Sequence, residues 1–242
     1  MFYNFKNDTD GAVEMSVYGE IISGTDKWDE SDVTFKDLQD SINAVPKNGT
    51  LNMYINSPGG SVFTTQAMIS MINRAKQSNN IKVNAYIDGL AASCASWLVM
   101  VADNVYCYSG SVLMVHKPMA YAYGNANDLQ TQIDILNKLE NETIIPAYMN
   151  KAKKTEEEVK KAINDETWLS ADEMIEMFNI EKLEDEKQLT ACASKEVFNK
   201  YKYKNTPKEL LEKENKEDQE EKIKKEIEMA IDEAEVYSSF NI

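Results

Sequence analysis

Apolar and polar positions change period several times along the chain, and each change predicts an element. Residues 13–21 alternate and then stay apolar, with Val13, Met15, Val17 and Ile21 on one side, as in a strand with one buried face. Residues 32–45 switch to helical spacing at Val33, Leu38, Ile42 and Val45. Residues 51–56 form a second strand pattern, closed by the breakers Ser57, Pro58, Gly59 and Gly60. The pattern then predicts an amphipathic helix over 62–76, a strand over 81–87, a buried helix over 89–102, and short strands over 104–108 and 112–116. A long helix is predicted over 126–153 from Leu129, Ile133, Leu136, Leu139 and Ile144, with Pro146 placed to kink it. Thr155 before three glutamates is a helix start, because its hydroxyl can cap and the carboxylates oppose the positive end of the dipole. Strands alternating with helices predict an α/β domain with a largely parallel sheet and reactive groups on the loops at strand ends.

The pattern breaks near Ser194. Residues 1–193 are expected to form one domain, and 194–242 a charged extension, helical or partly disordered, with a weak apolar stripe at Ile223, Ile227, Ala230 and Ile231. A chain that is 43% hydrophobic can bury one sizeable core. The net charge of −15 and pI near 4.6 argue against a nucleic-acid partner, since phosphate binding relies on clustered Lys and Arg. The longest uncharged run, 89–102, is well short of the roughly 20 apolar residues that span a bilayer. No secretory signal is visible at the N-terminus, so no membrane association is expected. Cys94, Cys107 and Cys192 are too scattered for a disulfide framework, and with one histidine they cannot build a zinc site of the usual spacing. The expectation is a cytoplasmic protein without metal or cofactor.

The one histidine, His116, lies on a run of β-formers downstream of a small-residue segment holding Ser93 and Ser96. A serine needs a nearby base to act as a nucleophile at neutral pH, and His has the pKa for that task. A lone strand histidine is more often a satisfied half-buried side chain, so the neighbouring segments decide. In Gly89-Leu-Ala-Ala-Ser93-Cys-Ala-Ser96 the small side chains let a serine lie in a cleft at a helix start, with an N-terminal amide free for a developing negative charge. Ser93 and Ser96 could share a face, and their spacing does not choose between them. Gly59 and Gly60 after a strand let the backbone approach a ligand with its amides outward. Neither a Walker nor a dinucleotide pattern is present.

Taken together and in order, Asn-Ser-Pro-Gly-Gly-Ser, Gly-x-Ala-Ala-Ser and Met-Val-His-x-Pro resemble the Clp protease proteolytic subunit (ClpP) family of self-compartmentalising serine peptidases, over about residues 13–183. The resemblance implies the spiral of βαβ units shared by ClpP and crotonases, with residues 126–153 as the handle helix. It implies Ser93 as nucleophile, with Ser96 the runner-up, His116 as base, and the amides of Gly60 and Cys94 as the oxyanion hole. The family's acidic residue stands four positions before the serine of Phe-Leu-Ser-Ala. Here Glu166-Thr-Trp-Leu-Ser170-Ala puts Glu166 at that position, where Asp is usual, and Asp165 beside it is the alternative.

The resemblance further implies a polypeptide substrate and a homo-oligomeric ring. The segment that forms axial pore loops in housekeeping ClpP is not recognisable, and Ala120-Tyr121 replace the usual Gly-Gly pair after the histidine, although Gly124 and Asp128 remain. Glu-Thr-Trp and the charged extension look like the ClpP-like head-maturation proteases of tailed phages or prophages. An ATP-independent endopeptidase acting on scaffold or capsid protein inside a prohead is therefore expected. The rivals are a housekeeping-type subunit working with an ATP-dependent unfoldase, a crotonase-fold acyl-CoA enzyme, and an inactive structural ring subunit.

Overall fold

Residues 12–27, 29–184 and 200–207 are described in the computed structural model of the chain. Strands β1 (Ala12–Ile21), β2 (Thr50–Gly60), β3 (Lys82–Ala92), β4 (Asn104–Cys107) and β7 (Glu181–Lys182) pair in the order β1-β2-β3-β4-β7, every pair parallel. Helices α1 (Phe35–Ala44) and α2 (Val62–Asn79) make the first crossovers, and the short α3 (Cys94–Leu98) follows β3. The fold is thus the expected α/β class.

β3 is too long for one neighbour on this side. Its first half pairs with β4, from Asn84 opposite Asn104 to Ile87 opposite Cys107. Its second half pairs with β5 (Val112–Val115), from Leu90 opposite Val112 to Ala92 opposite Met114. β5 in turn takes β6 (Thr167–Ser170) as an antiparallel partner. This fork brings the ends of β3, β5 and β6 to one place.

Two expectations about this region are corrected. Residues 89–92, assigned to a helix over 89–102, continue β3, and the helical part is α3 with a 3₁₀ turn over Val99–Val101. A run of small apolar residues has no period to separate a buried helix from a buried strand, and pairing with β5 decides it. Ser57 to Gly60 likewise stay within β2 rather than closing it. The ladders on both sides of β2 shift register around Asn56–Gly59, so Pro58 removes no ladder bond from a regular stretch. Asn56 Oδ1 accepts from the Leu90 amide at 2.9 Å, replacing a backbone partner at the shift.

The predicted handle helix also differs. It runs as α4 (Ala126–Leu139), a π turn over Glu140–Ile144, and α5 (Ile145–Met149), ending before Lys153. The Ile145 amide reaches back to Glu140 O, the wider spacing of a π turn, and Pro146 follows inside the first turn of α5, where its missing N–H is harmless. Asn125 and Asp128 cap α4 reciprocally, and Thr155 and Glu158 cap α6 (Glu156–Asn164) in the same way. Helix α7 (Ala171–Met177) starts from Ser170 and leads to β7.

The main core lies between the sheet and α1, α2, α3, α5, α6 and α7, and includes Leu38, Met53, Ile72, Trp97, Tyr148 and Met174. A second, smaller cluster of Leu90, Ala92, Met114 and Tyr203 lies at the forked end of the sheet. Tyr203 belongs to residues 200–207; the rest of the extension expected over 194–242 is outside the described residues. No described helix is long and apolar enough to cross a membrane.

Candidate active site

β3 ends at Ala92, and Ser93 turns the chain into α3 with φ 53° and ψ −128°. This backbone region is nearly reserved for glycine, and holding a serine there costs on the order of 1–3 kcal/mol. The pairing of β3 with β5 over-determines it: the Ser93 amide donates to Met114 O at 3.1 Å, and the Ser96 amide closes the turn on Ser93 O at 3.0 Å. A sharp strand-to-helix turn of this kind lifts a side-chain oxygen clear of the sheet edge.

His116 follows the last residue of β5 directly. Its Nε2 lies 2.7 Å from Ser93 Oγ, so adjacent parallel strands deliver the two groups to each other. Burial pushes the imidazole down to about 4, leaving it neutral at pH 7 and able to accept a proton. Ser96 is placed differently. It is fully buried, and its Oγ donates to Ser93 O at 2.6 Å and shares a 2.6 Å hydrogen bond with the Tyr148 hydroxyl. It pins the turn from below and does not reach the histidine.

The two acids separate as clearly. The antiparallel ladder ends with Val115 facing Thr167, so His116 and Glu166 each stand one residue beyond the last pair and Asp165 a residue further on. Asp165 closes α6, pairs with Lys161 and is exposed. Glu166 has a left-handed backbone, φ 51°, and its Oε1 accepts from the Asn205 amide at 2.8 Å. Among the described residues neither carboxylate is hydrogen-bonded to His116, and burial is the one influence on its pKa. Glu166 is engaged by Asn205 and Asp165 by Lys161.

Gly60, with φ 144°, ends β2 beside the turn. A Cβ on the preceding Gly59 would lie 2.7 Å from both Ala92 O and Ser93 Cβ, so glycine is needed for this approach. The same Cβ would lie 3.1 Å from the Cys94 amide nitrogen, and burial pushes the Cys94 thiol up to about 12. A small cavity of about 10 Å³, room for about one water, lies next to the Ser93–His116 pair, bordered by Val62, Trp97, Pro118, Ile144 and Tyr148.

Several residues at the site were not singled out from the sequence. Ser57, fully buried, donates to Gly19 O at 2.6 Å and accepts from the Gly59 amide at 3.1 Å, fixing the glycine pair. Tyr148 braces Ser96, and Tyr203 stands edge-on to His116 with ring centroids 5.3 Å apart. The strand adjoining the glycines could have suggested Ser57, whereas nothing local points from Tyr203 to His116. Among the described residues no group of three His, Cys, Asp or Glu side chains could hold a metal ion.

A parallel α/β sheet with a Ser–His pair at the forked carboxyl ends of its strands defines the class. Residues 36–185 match the family model described as Clp protease, and the chain belongs to that family. It is 31% identical over 133 residues to the ATP-dependent Clp protease proteolytic subunit 1 of Protochlamydia amoebophila, covering 53% of this chain and 62% of that one. It is 28% identical over 137 residues to the ATP-dependent Clp protease proteolytic subunit of Porphyromonas gingivalis, covering 55% and 59%. The chain therefore spans about three-fifths of the length of these relatives.

Proposed function

We propose that the chain is a serine endopeptidase with Ser93 as nucleophile and His116 as base. The observation that carries this is the 2.7 Å contact between Ser93 Oγ and a buried, neutral His116 Nε2. In this reading Ser93 attacks a peptide carbonyl and His116 takes its proton, then gives it to the leaving amine. Glu166 swings from Asn205 to His116 Nδ1 to hold the tautomer and stabilise the imidazolium. The Gly60 and Cys94 amides take the developing oxyanion, and one such donor is worth about 2.7–4 kcal/mol. An acyl-CoA enzyme of the same fold has no need for this Ser–His contact, and a purely structural subunit has no need for the strained turn that presents Ser93.

The reading includes assembly into a homo-oligomeric ring. Among the described residues, helix α4 buries none of its side chains and exposes Leu129 and Ile133 on one face, with Ile135 exposed on another side, apolar surface that a second copy would cover. Action on scaffold or capsid protein in a prohead, without ATP, is supported by the sequence likeness in Glu-Thr-Trp and the charged extension, while the named relatives are subunits of ATP-dependent proteases. The test is hydrolysis of an unstructured polypeptide by the full chain in the absence of ATP, with light scattering on the same sample. Serine-dependent cleavage by a species several times 27.5 kDa is expected; a strictly monomeric, fully active protein would refute the ring, and cleavage only with an added ATPase would refute the ATP-independence.

A further inference from the structure

Residues 200–205, Lys-Tyr-Lys-Tyr-Lys-Asn, lie across the Ser93–His116 pair rather than away from the domain. Tyr203, Asn205 and Lys200 hold them. Tyr203 is 8% exposed, sits in the small cluster with Leu90, Ala92 and Met114, and stands edge-on to His116 and to Trp168. Its hydroxyl donates to Pro58 O at 3.0 Å, on the strand that carries the oxyanion glycines. The Asn205 amide occupies Glu166 Oε1, and Asn205 Nδ2 donates to Asp165 O at 2.8 Å. Lys200 pairs with Glu20 at 2.6 Å, on β1.

Two of these contacts oppose turnover as read above, and the others hold the segment in place. The aromatic ring packs edge-on against the imidazole, with its hydroxyl held on Pro58 O beside the glycine pair. The carboxylate that should orient His116 is engaged elsewhere. The segment is also unlike a substrate strand, since Lys202 has φ 49° and breaks any extended run. A plug held by a side chain and turned away in its backbone offers no aligned carbonyl to a nucleophile.

We propose that residues 200–205 form an intramolecular inhibitory strap, which blocks the site with Tyr203 and withholds Glu166 from His116 until it is displaced. Part of the proposal rests on the peptidase reading, and its test separates the two. The full-length chain and its Tyr203→Ala variant are compared by the rate of labelling with a fluorophosphonate and by NMR titration of the one histidine. Because reactivity scales with the open fraction, labelling of Tyr203→Ala should be faster by about tenfold or more. The histidine pKa should rise from its buried value as the ring leaves and Glu166 is freed.

Equal labelling rates with an unmoved histidine titration would overturn the strap. A histidine that moves while neither protein is ever labelled would uphold the strap as a cover and defeat the peptidase reading. Should Tyr203→Ala fail to fold, Lys200→Glu reverses an exposed charge and should speed labelling by about two- to fivefold, the range of one surface ion pair. No acceleration there, together with a histidine titration like that of the parent, would again overturn the proposal.

Discussion

The two halves of the site are built in different ways. Ser93 and His116 stand one residue past the ends of paired strands, so their 2.7 Å contact is set by the same backbone ladder that makes the sheet. Glu166 stands one residue before the start of β6, in a left-handed conformation, with its carboxylate bonded to Asn205. The first half is built into the fold. The second is conditional, because an acid on a turn can exchange one partner for another without disturbing a strand. A nucleophile and base locked together with an orienter left free is an arrangement that can be held off and switched on.

The most damaging change to the locked half is Ser93→Ala, which should lower turnover of a peptide substrate by about 10⁶-fold while thermal unfolding stays cooperative. In the conditional half, Glu166→Gln should lower turnover by as much as roughly 10⁴-fold with KM little changed, since His116 is left without its tautomer partner. Asp165→Asn, on an exposed pair with Lys161, should change it little. Steady-state kinetics of the two side by side would erase the contrast if Asp165→Asn alone were crippled.

Burial of the locked half predicts a pH dependence of stability. His116 is held at about 4 in the folded chain against 6.5 for the free group, so below pH 6.5 the unfolded chain takes up a proton that the folded chain does not. Stability should fall as pH drops through this window, by up to about 3 kcal/mol from this group. Urea titrations at pH 7 and pH 4.5 should show a smaller loss in His116→Gln; an equal loss would mean that the imidazole is solvated. The smallest effect is expected for Ser96→Ala, which leaves the Tyr148 hydroxyl short of a partner at about 1–3 kcal/mol but keeps fluorophosphonate labelling.

Strands and helices with a clear period were legible in the sequence: β1, α1, α2, β4 and the capped start of α6 lie close to where the pattern puts them. The sequence reading failed where period carries no information. The small apolar residues 89–92 and the Pro-Gly-Gly segment of β2 have no alternation, and long-range pairing decides their state. At the site, motif order brought Ser93, His116, Gly60 and Cys94 into view, and the structure sets the first two in contact. Spacing alone could not choose between Ser93 and Ser96, which the resemblance ordered with Ser93 first; in the structure Tyr148 ties down the Ser96 hydroxyl. Nor could it join Tyr203 to His116 across 87 positions, because such a contact follows from the fork in the sheet and not from local chemistry.

The central claim is that Ser93 is a nucleophile activated by His116. Its most direct test is peptide mapping by mass spectrometry after prolonged incubation of the full chain with a fluorophosphonate. The adduct is expected on the peptide holding Ser93, absent in Ser93→Ala and formed far more slowly in His116→Gln. An adduct on Ser96 with Ser93 unmodified, or a rate indifferent to loss of His116, would contradict it.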